Sequence, residues 1–226
     1  MFKYGMLAAV SALVCASAAQ AQDGRFAIGP QVGTTGVGIE AQFKVSDRIT
    51  LRGGFDSLSF DEEVEGDGIL YDGELDFSTG GIFADLHPTG GAFFLSAGVY
   101  FGDRRVNVSG TPAPGTTVEI GDDTFTAAQV GTLNGTLDFG STAPFMGLGW
   151  NNTFTRSRRW GFKFLVGAAF GSDPDATLTR VGGSALSPAD QARLDAELRA
   201  EEIEIEKEAD RFKVFPVVQL GLAYRF

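Results

Sequence analysis

Hydrophobic and polar positions take turns along most of this chain, the period of two that strands with unlike faces produce. Val37, Ile39, Ala41, Phe43 and Val45 share one face, with Glu40, Gln42 and Lys44 between them. Phe93, Leu95, Ala97, Val99 and Phe101 alternate with Phe94, Ser96, Gly98, Tyr100 and Gly102. Trp160, Phe162, Phe164, Val166, Ala168 and Phe170 form another row, and Val218, Leu220, Leu222, Tyr224 and Phe226 a further one. Between them, Leu75, Phe77, Thr79, Gly81 and Phe83 alternate with Glu74, Asp76, Ser78 and Gly80. A soluble barrel would turn its large apolar rows to a core. A membrane barrel turns them to lipid and fills its interior with the small and polar set.

The connections separate the two cases. Ser46–Arg48, Pro88–Gly91 and Arg156–Arg159 are short, and longer polar stretches at 61–68, 110–131 and 181–211 alternate with them. Short periplasmic turns alternating with long outside loops are the asymmetry of outer-membrane barrels. The expected fold is therefore all-β: a transmembrane up-and-down antiparallel β-barrel of eight strands. These fall at about 25–33, 36–45, 49–60, 70–87, 92–109, 133–152, 160–180 and 212–226. Counting the hairpin at Thr34-Thr35 makes the number even and puts both termini on the periplasmic side. The third to sixth strands exceed the ~9–11 residues that cross a bilayer, so they are expected to project beyond it.

The last long connection differs from the others. Ser187-Pro188-Ala189-Asp190 reads as an N-cap, an N1 proline and an early acid, the start of a helix. Leu194 and Leu198 then share a face, and Asp195 and Arg199 form an i,i+4 pair. The stretch 182–211 is predicted to be a charged, helical extracellular loop before the last strand.

Residues 1–21 have a basic start at Lys3, an apolar stretch from Met6 to Ala16 and the small-residue site Ala19-Gln20-Ala21. That is the layout of a secretory signal peptide cleaved near Ala21, leaving 22–226 as a barrel domain. Cys15, the one cysteine, leaves with it. The 31 Gly and 20 Phe show no Gly-X-Y period, which excludes a collagen-like chain. The formal charge of −11, one unit more negative once Lys3 is gone, argues against nucleic acid as a partner.

Leu222, Tyr224 and Phe226 end the chain on alternate apolar positions with an aromatic last residue. This resembles the terminal signal that outer-membrane barrels present to their assembly machinery. Further stretches are similar to the CarO-type outer-membrane proteins: Val32–Gly36, Asp123–Gln129, Ala143–Trp150, Trp160-Gly161-Phe162, Gly171–Pro174 and the acidic helical insert, in the same order. The resemblance implies an eight-stranded barrel in the outer membrane of a Gram-negative bacterium, linked to carbapenem susceptibility and to uptake of small basic amino acids.

With the large apolar rows facing lipid, the interior is expected to receive Glu40, Arg52, Asp56, Asp72, Glu74, Asp76, Arg104, Asp138, Lys163 and Lys213. Charges confined in so narrow a tube must pair. Their acidic surplus points to a narrow porin for passive uptake of small cationic solutes, with Asp72, Glu74 and Asp76 at the outer vestibule. The alternative is a closed structural or adhesion-type barrel whose extracellular loops bind lipopolysaccharide or another partner. Outer-membrane lipid is a partner on either reading.

No catalytic group or cofactor is expected. His87, the one histidine, precedes Pro88 at a periplasmic turn and has no nucleophile beside it. Asp61-x-Glu63-x-Glu65-Gly66-x5-Asp72 only partly matches a calcium loop, with strands in place of the flanking helices. It reads as an acidic loop tip, and no metal site is expected. Gly147, Gly149 and Gly167 read as places where strands curve or neighbours approach closely.

Overall fold

The computed structural model describes residues 24–66, 69–121, 123–155, 157–184 and 186–226; the predicted signal peptide lies outside them. The chain runs β1 (Phe26–Gly33), β2 (Gly36–Lys44), β3 (Ile49–Gly66), β4 (Ile69–Leu86) and β5 (Phe93–Pro112). A small hairpin, β6 (Thr117–Ile120) and β7 (Asp123–Thr126), leads into the single turn α1 (Ala127–Val130). Then follow β8 (Thr132–Asp138), β9 (Thr142–Asn151), β10 (Trp160–Phe170), β11 (Asp175–Val181), α2 (Pro188–Ala209) and β12 (Val214–Arg225).

β1, β2, β3, β4, β5, β9, β10 and β12 each pair antiparallel with the next, and β12 returns to pair with β1. The eight form a closed ring. Closure leaves no free edge at that level, so every strand's backbone groups find partners within the sheet. No described helix is long and apolar enough to cross a membrane.

The predicted sixth and seventh strands each break in two. β5 pairs with β9 along Phe93–Phe101 and with β8 along Arg105–Gly110. The break between β8 and β9 sits at Gly140, whose φ of +74° favours glycine, and its freed carbonyls are taken up by Arg104. Between β10 and β11, Pro174 brings no amide to a ladder and is buried. Above the ring, β3, β4, β5, β8 and β11 therefore continue as a half-wall. β5, with 20 residues, reaches roughly 65 Å at about 3.3 Å per residue, and the apolar belt of a barrel is only ~25 Å tall. Within the predicted loops at 61–68 and 110–131, the described residues are correspondingly more ordered than expected. β3 runs to Gly66, and the second loop holds β6, β7 and α1.

The segment predicted as a charged helix is α2, capped by the Ser187 hydroxyl accepting from the Asp190 amide. Its Leu194 and Leu198 pack with Ile120, Phe125 and Val130 of the second loop. β11 pairs with β8 on one edge only, and α2 runs along the other. There Glu206 Oε1 accepts from the Ala176 amide (3.1 Å) and Glu202 Oε1 from the Leu178 amide (2.7 Å). Two glutamates one helical turn apart thus stand in for a missing strand, which protects an edge that would otherwise invite pairing.

The outer surface of the ring is a belt of exposed apolar side chains, among them Ile39, Leu51, Ile82, Leu95, Leu148, Phe164 and Leu220. Near the short turns it ends in aromatics. Trp160 meets Tyr224 at 5.2 Å between ring centroids, and Tyr224 meets Phe226 at 5.3 Å. Aromatic girdles of this kind mark the interface of a lipid-embedded barrel.

Candidate functional site

Charged and aromatic side chains pack into the interior of the ring. On one side, Arg52 lies at the centre: its Nη1 donates to Glu40 and its Nε to Asp85, both at 2.5 Å, and its Nη2 donates to Ser96 at 2.9 Å. Lys163 joins the same network through Glu40 (2.5 Å) and Gln31 (2.9 Å). Gln42 donates to Glu40, and Asn151 in turn donates to Gln42. One layer further toward the long-strand end, Asp56 accepts from Gln31 (2.7 Å), Thr35 (3.0 Å) and Gln219 (3.1 Å).

The other side of the interior is aromatic. Phe83, Tyr100 and Phe145 contact one another edge to face at 4.8 to 5.5 Å. The Arg52 guanidinium lies 4.9 Å from the centre of Phe83 and 5.7 Å from that of Phe94. The inward glycines make room for these rings. A Cβ on Gly167 would stand 2.6 Å from two Phe145 ring atoms, and one on Gly149 would stand 2.7 Å from Phe94. Arg52, Glu40, Asp85, Lys163, Phe94 and Phe145 are all less than 5% exposed.

Ten charges were expected inside the barrel, and the structure divides them. Glu40, Arg52, Asp56 and Lys163 lie in the lumen. Asp72, Glu74 and Asp76 do not: they are exposed on the outer face of β4, so they form no vestibule. The physical reason is phase. Thr79, Phe83 and Asp85 are buried and set the inward face of β4, which leaves the even-numbered residues outside. The row Leu75, Phe77, Thr79, Gly81 and Phe83, read as lipid-facing, is the inward row. The same reversal hid Asp85, which bridges to Arg52. Large rings do not report lipid in this chain, because part of its interior is itself aromatic.

Asp138 also lies outside, where it accepts from Arg105 at 3.0 Å. Arg104 and Lys213 face inward but above the lumen. Lys213 pairs with Asp173 (2.7 Å) and Asp210 (3.0 Å), while Arg104 lines a cavity. His87 is buried at the short-turn end, with Nδ1 2.8 Å from the Gly91 carbonyl. The partial calcium-loop spacing falls on two paired strands, with Asp61 opposite Glu74 and Glu63 opposite Asp72, so these residues do not curl around a common point.

Scanning family models gives no match, and no curated sequence matches either. Solved structures do match. Acinetobacter baumannii CarO2 superimposes with a TM-score of 0.57 at 22% identity, covering 89% of this chain and 98% of that one. CarO from the same organism gives a TM-score of 0.55 at 20% identity, covering 88% and 97%. The chain has the CarO-type barrel fold. The likeness spans nearly all of both neighbours, so the half-wall and α2 fall largely within the shared fold rather than being additions to it.

The feature of this CarO-type barrel that sequence reasoning missed lies above the lumen. A cavity of about 560 Å³ opens between the half-wall and the segment from Ile205 to Lys213. Leu58, Leu75, Phe77, Val106, Leu137 and Phe215 line it, with Thr35, Thr79 and Tyr100 toward its lumen end. Arg104 is half-buried in its wall; burial pulls the guanidinium's pKa down, and Asp138 acts the other way. A second apolar cavity, about 410 Å³, follows between the half-wall, β6 and α2. The signal for both was present in the sequence as apolar residues on the inward rows of β4, β5 and β8.

Proposed function

We propose that the chain works in the outer membrane of a Gram-negative bacterium as a closed, non-enzymatic barrel. Its long-strand end faces outside and does the work. The observation that carries this reading is the interior network: Arg52 is held by two carboxylates and two aromatic faces, with no room left around it. An eight-stranded barrel has an interior just wide enough for side chains, and this one is filled by them. The apolar belt, the aromatic girdle and the CarO-type fold support the membrane location. Cleavage of a signal peptide near Ala21 and delivery to the assembly machinery through Leu222, Tyr224 and Phe226 complete the proposal.

Passive uptake of small cationic solutes is the second reading. In its favour, the lumen holds three buried acids, Glu40, Asp56 and Asp85, against the two bases Arg52 and Lys163. Asp56 is satisfied by neutral donors, so its charge is the one available to a passing cation. Osmotic swelling of liposomes carrying the mature protein tests the two. The closed reading expects arginine and glutamate to enter no faster than into protein-free liposomes. Faster entry of arginine alone would replace it with the uptake reading.

A further inference from the structure

The cavity above the lumen is largely apolar; Glu208 and Arg211, both exposed, and Lys213, paired to Asp173 and Asp210, border it, and Arg104 is set in its wall. Arg104 uses Nε and Nη2 on the carbonyls of Phe139 and Gly140, at 2.9 to 3.3 Å. Its Nη1 donates to none of the described residues, and no described carboxylate lies within 4.0 Å of the guanidinium. Close by in the sheet, the buried hydroxyl of Thr79 also has no hydrogen-bond partner among the described residues. Arg104 lies opposite Phe77, and Thr79 lies opposite Gly102. The two inward side chains are therefore diagonal neighbours across an antiparallel pair, about 7–8 Å apart at the backbone. Both side chains border the cavity, one from β5 and the other from β4. The Thr79 hydroxyl is buried and unmet, which is costly in apolar surroundings, and Arg104 is half-buried with Nη1 still open, so an anionic group that meets both gains charge-assisted hydrogen bonds.

We propose that this cavity binds a single-chain amphiphile with a carboxylate head. The head sits between Arg104 Nη1 and Thr79 Oγ1, and the chain lies against Leu58, Leu75, Val106 and Leu137 beneath Ile205 and Ala209. The volume of about 560 Å³ falls within the ~300–1,000 Å³ usual for small-ligand pockets. A cationic amphiphile is disfavoured, because its head would meet Arg104. This assigns a ligand class to the outward end of the barrel. It is independent of whether the lumen conducts, since the cavity lies above the plug.

The test is calorimetric titration of the mature full-length protein in lipid nanodiscs, with empty discs subtracted. The probes are decanoate, decanol and decyltrimethylammonium. Saturable one-to-one binding of decanoate, at least tenfold tighter than decanol, is expected, with no saturable binding of the ammonium compound. Arg104→Gln should bring decanoate down to the level of decanol, Arg104→Lys should keep most of the preference, and Val106→Trp should fill the cavity and abolish both. If Arg104→Gln does not give the heat-modifiable folded form, Thr79→Val replaces it, with a several-fold loss for decanoate only. Equal binding of all three probes, or decanoate binding untouched by Val106→Trp and by the head-group variants, would overturn the proposal. Because swelling reads the lumen and titration reads the cavity, either can fail without the other.

Discussion

Arg52 satisfies two carboxylates, a serine and two aromatic faces at once, so its removal strands more than its own charge. Arg52→Met should cost about 3–5 kcal/mol, the scale for breaking a buried ion pair from one side, read by urea unfolding of the refolded barrel in lipid. Asp76→Asn, on the outer face, should stay within ~0.5 kcal/mol in the same assay. If the sequence-based vestibule were right, Asp76 would matter as the lumen acids do. Glu40 and Lys163 were legible because each stands polar among apolar neighbours in a clean alternation. Asp85 was not, since β4 has large side chains on its inward face and acids on its outward one. Asp138 offers a pH test. Partial burial pushes its carboxyl up, but bonds from Arg105 and the Gly140 amide outweigh this and hold it below the ordinary carboxylate range. A lowered folded pKa means the stabilisation is present above the unfolded value, near pH 4, and is lost as pH falls through the folded value. The protection factor of the Gly140 amide, corrected for the intrinsic pH dependence of exchange, should therefore fall only on acidification below about pH 4, and Asp138→Asn should remove that step.

Helix α2 gives its acids a task that composition could not reveal. Its start was legible from Ser187 and Pro188, because capping is a local matter. Its role depends on a neighbour far away in sequence: Glu202 and Glu206 look like any solvated glutamates until β11 presents the amides of Leu178 and Ala176 to them. Replacing both glutamates by alanine should unprotect those two amides in hydrogen exchange by roughly tenfold each, about 1 kcal/mol per bond, while β1 and β2 keep their protection. Ser187→Ala should destabilise α2 by about 1 kcal/mol, seen as faster exchange in its first turns. The break in the sixth strand was also beyond the sequence pattern. Period-two alternation continues on both sides of Gly140, and only the register shows that β5 changes partner between Phe101 and Arg105.

For the whole molecule, two different interiors are stacked along one axis. The ring holds an ionic and aromatic network. Above it the half-wall and α2 enclose an apolar cavity with Arg104 in its wall. The eight-strand count, the outward apolar rows of every ring strand read except β4, and the charged helix could be read from alternation and turn spacing, because those follow from local chemistry. Whether the lumen is open could not, since that depends on which side chains meet across the ring. Single-channel recording of the mature protein in planar bilayers measures that property directly. The closed-barrel account predicts a quiet membrane at potentials up to about ±100 mV, with steps appearing only once Arg52 and Phe83 are both cut to alanine; the membrane field, worth ~2.3 kcal/mol per charge at 100 mV, is too weak to expel a doubly paired guanidinium. Steady, cation-selective steps from the unmodified protein would contradict it.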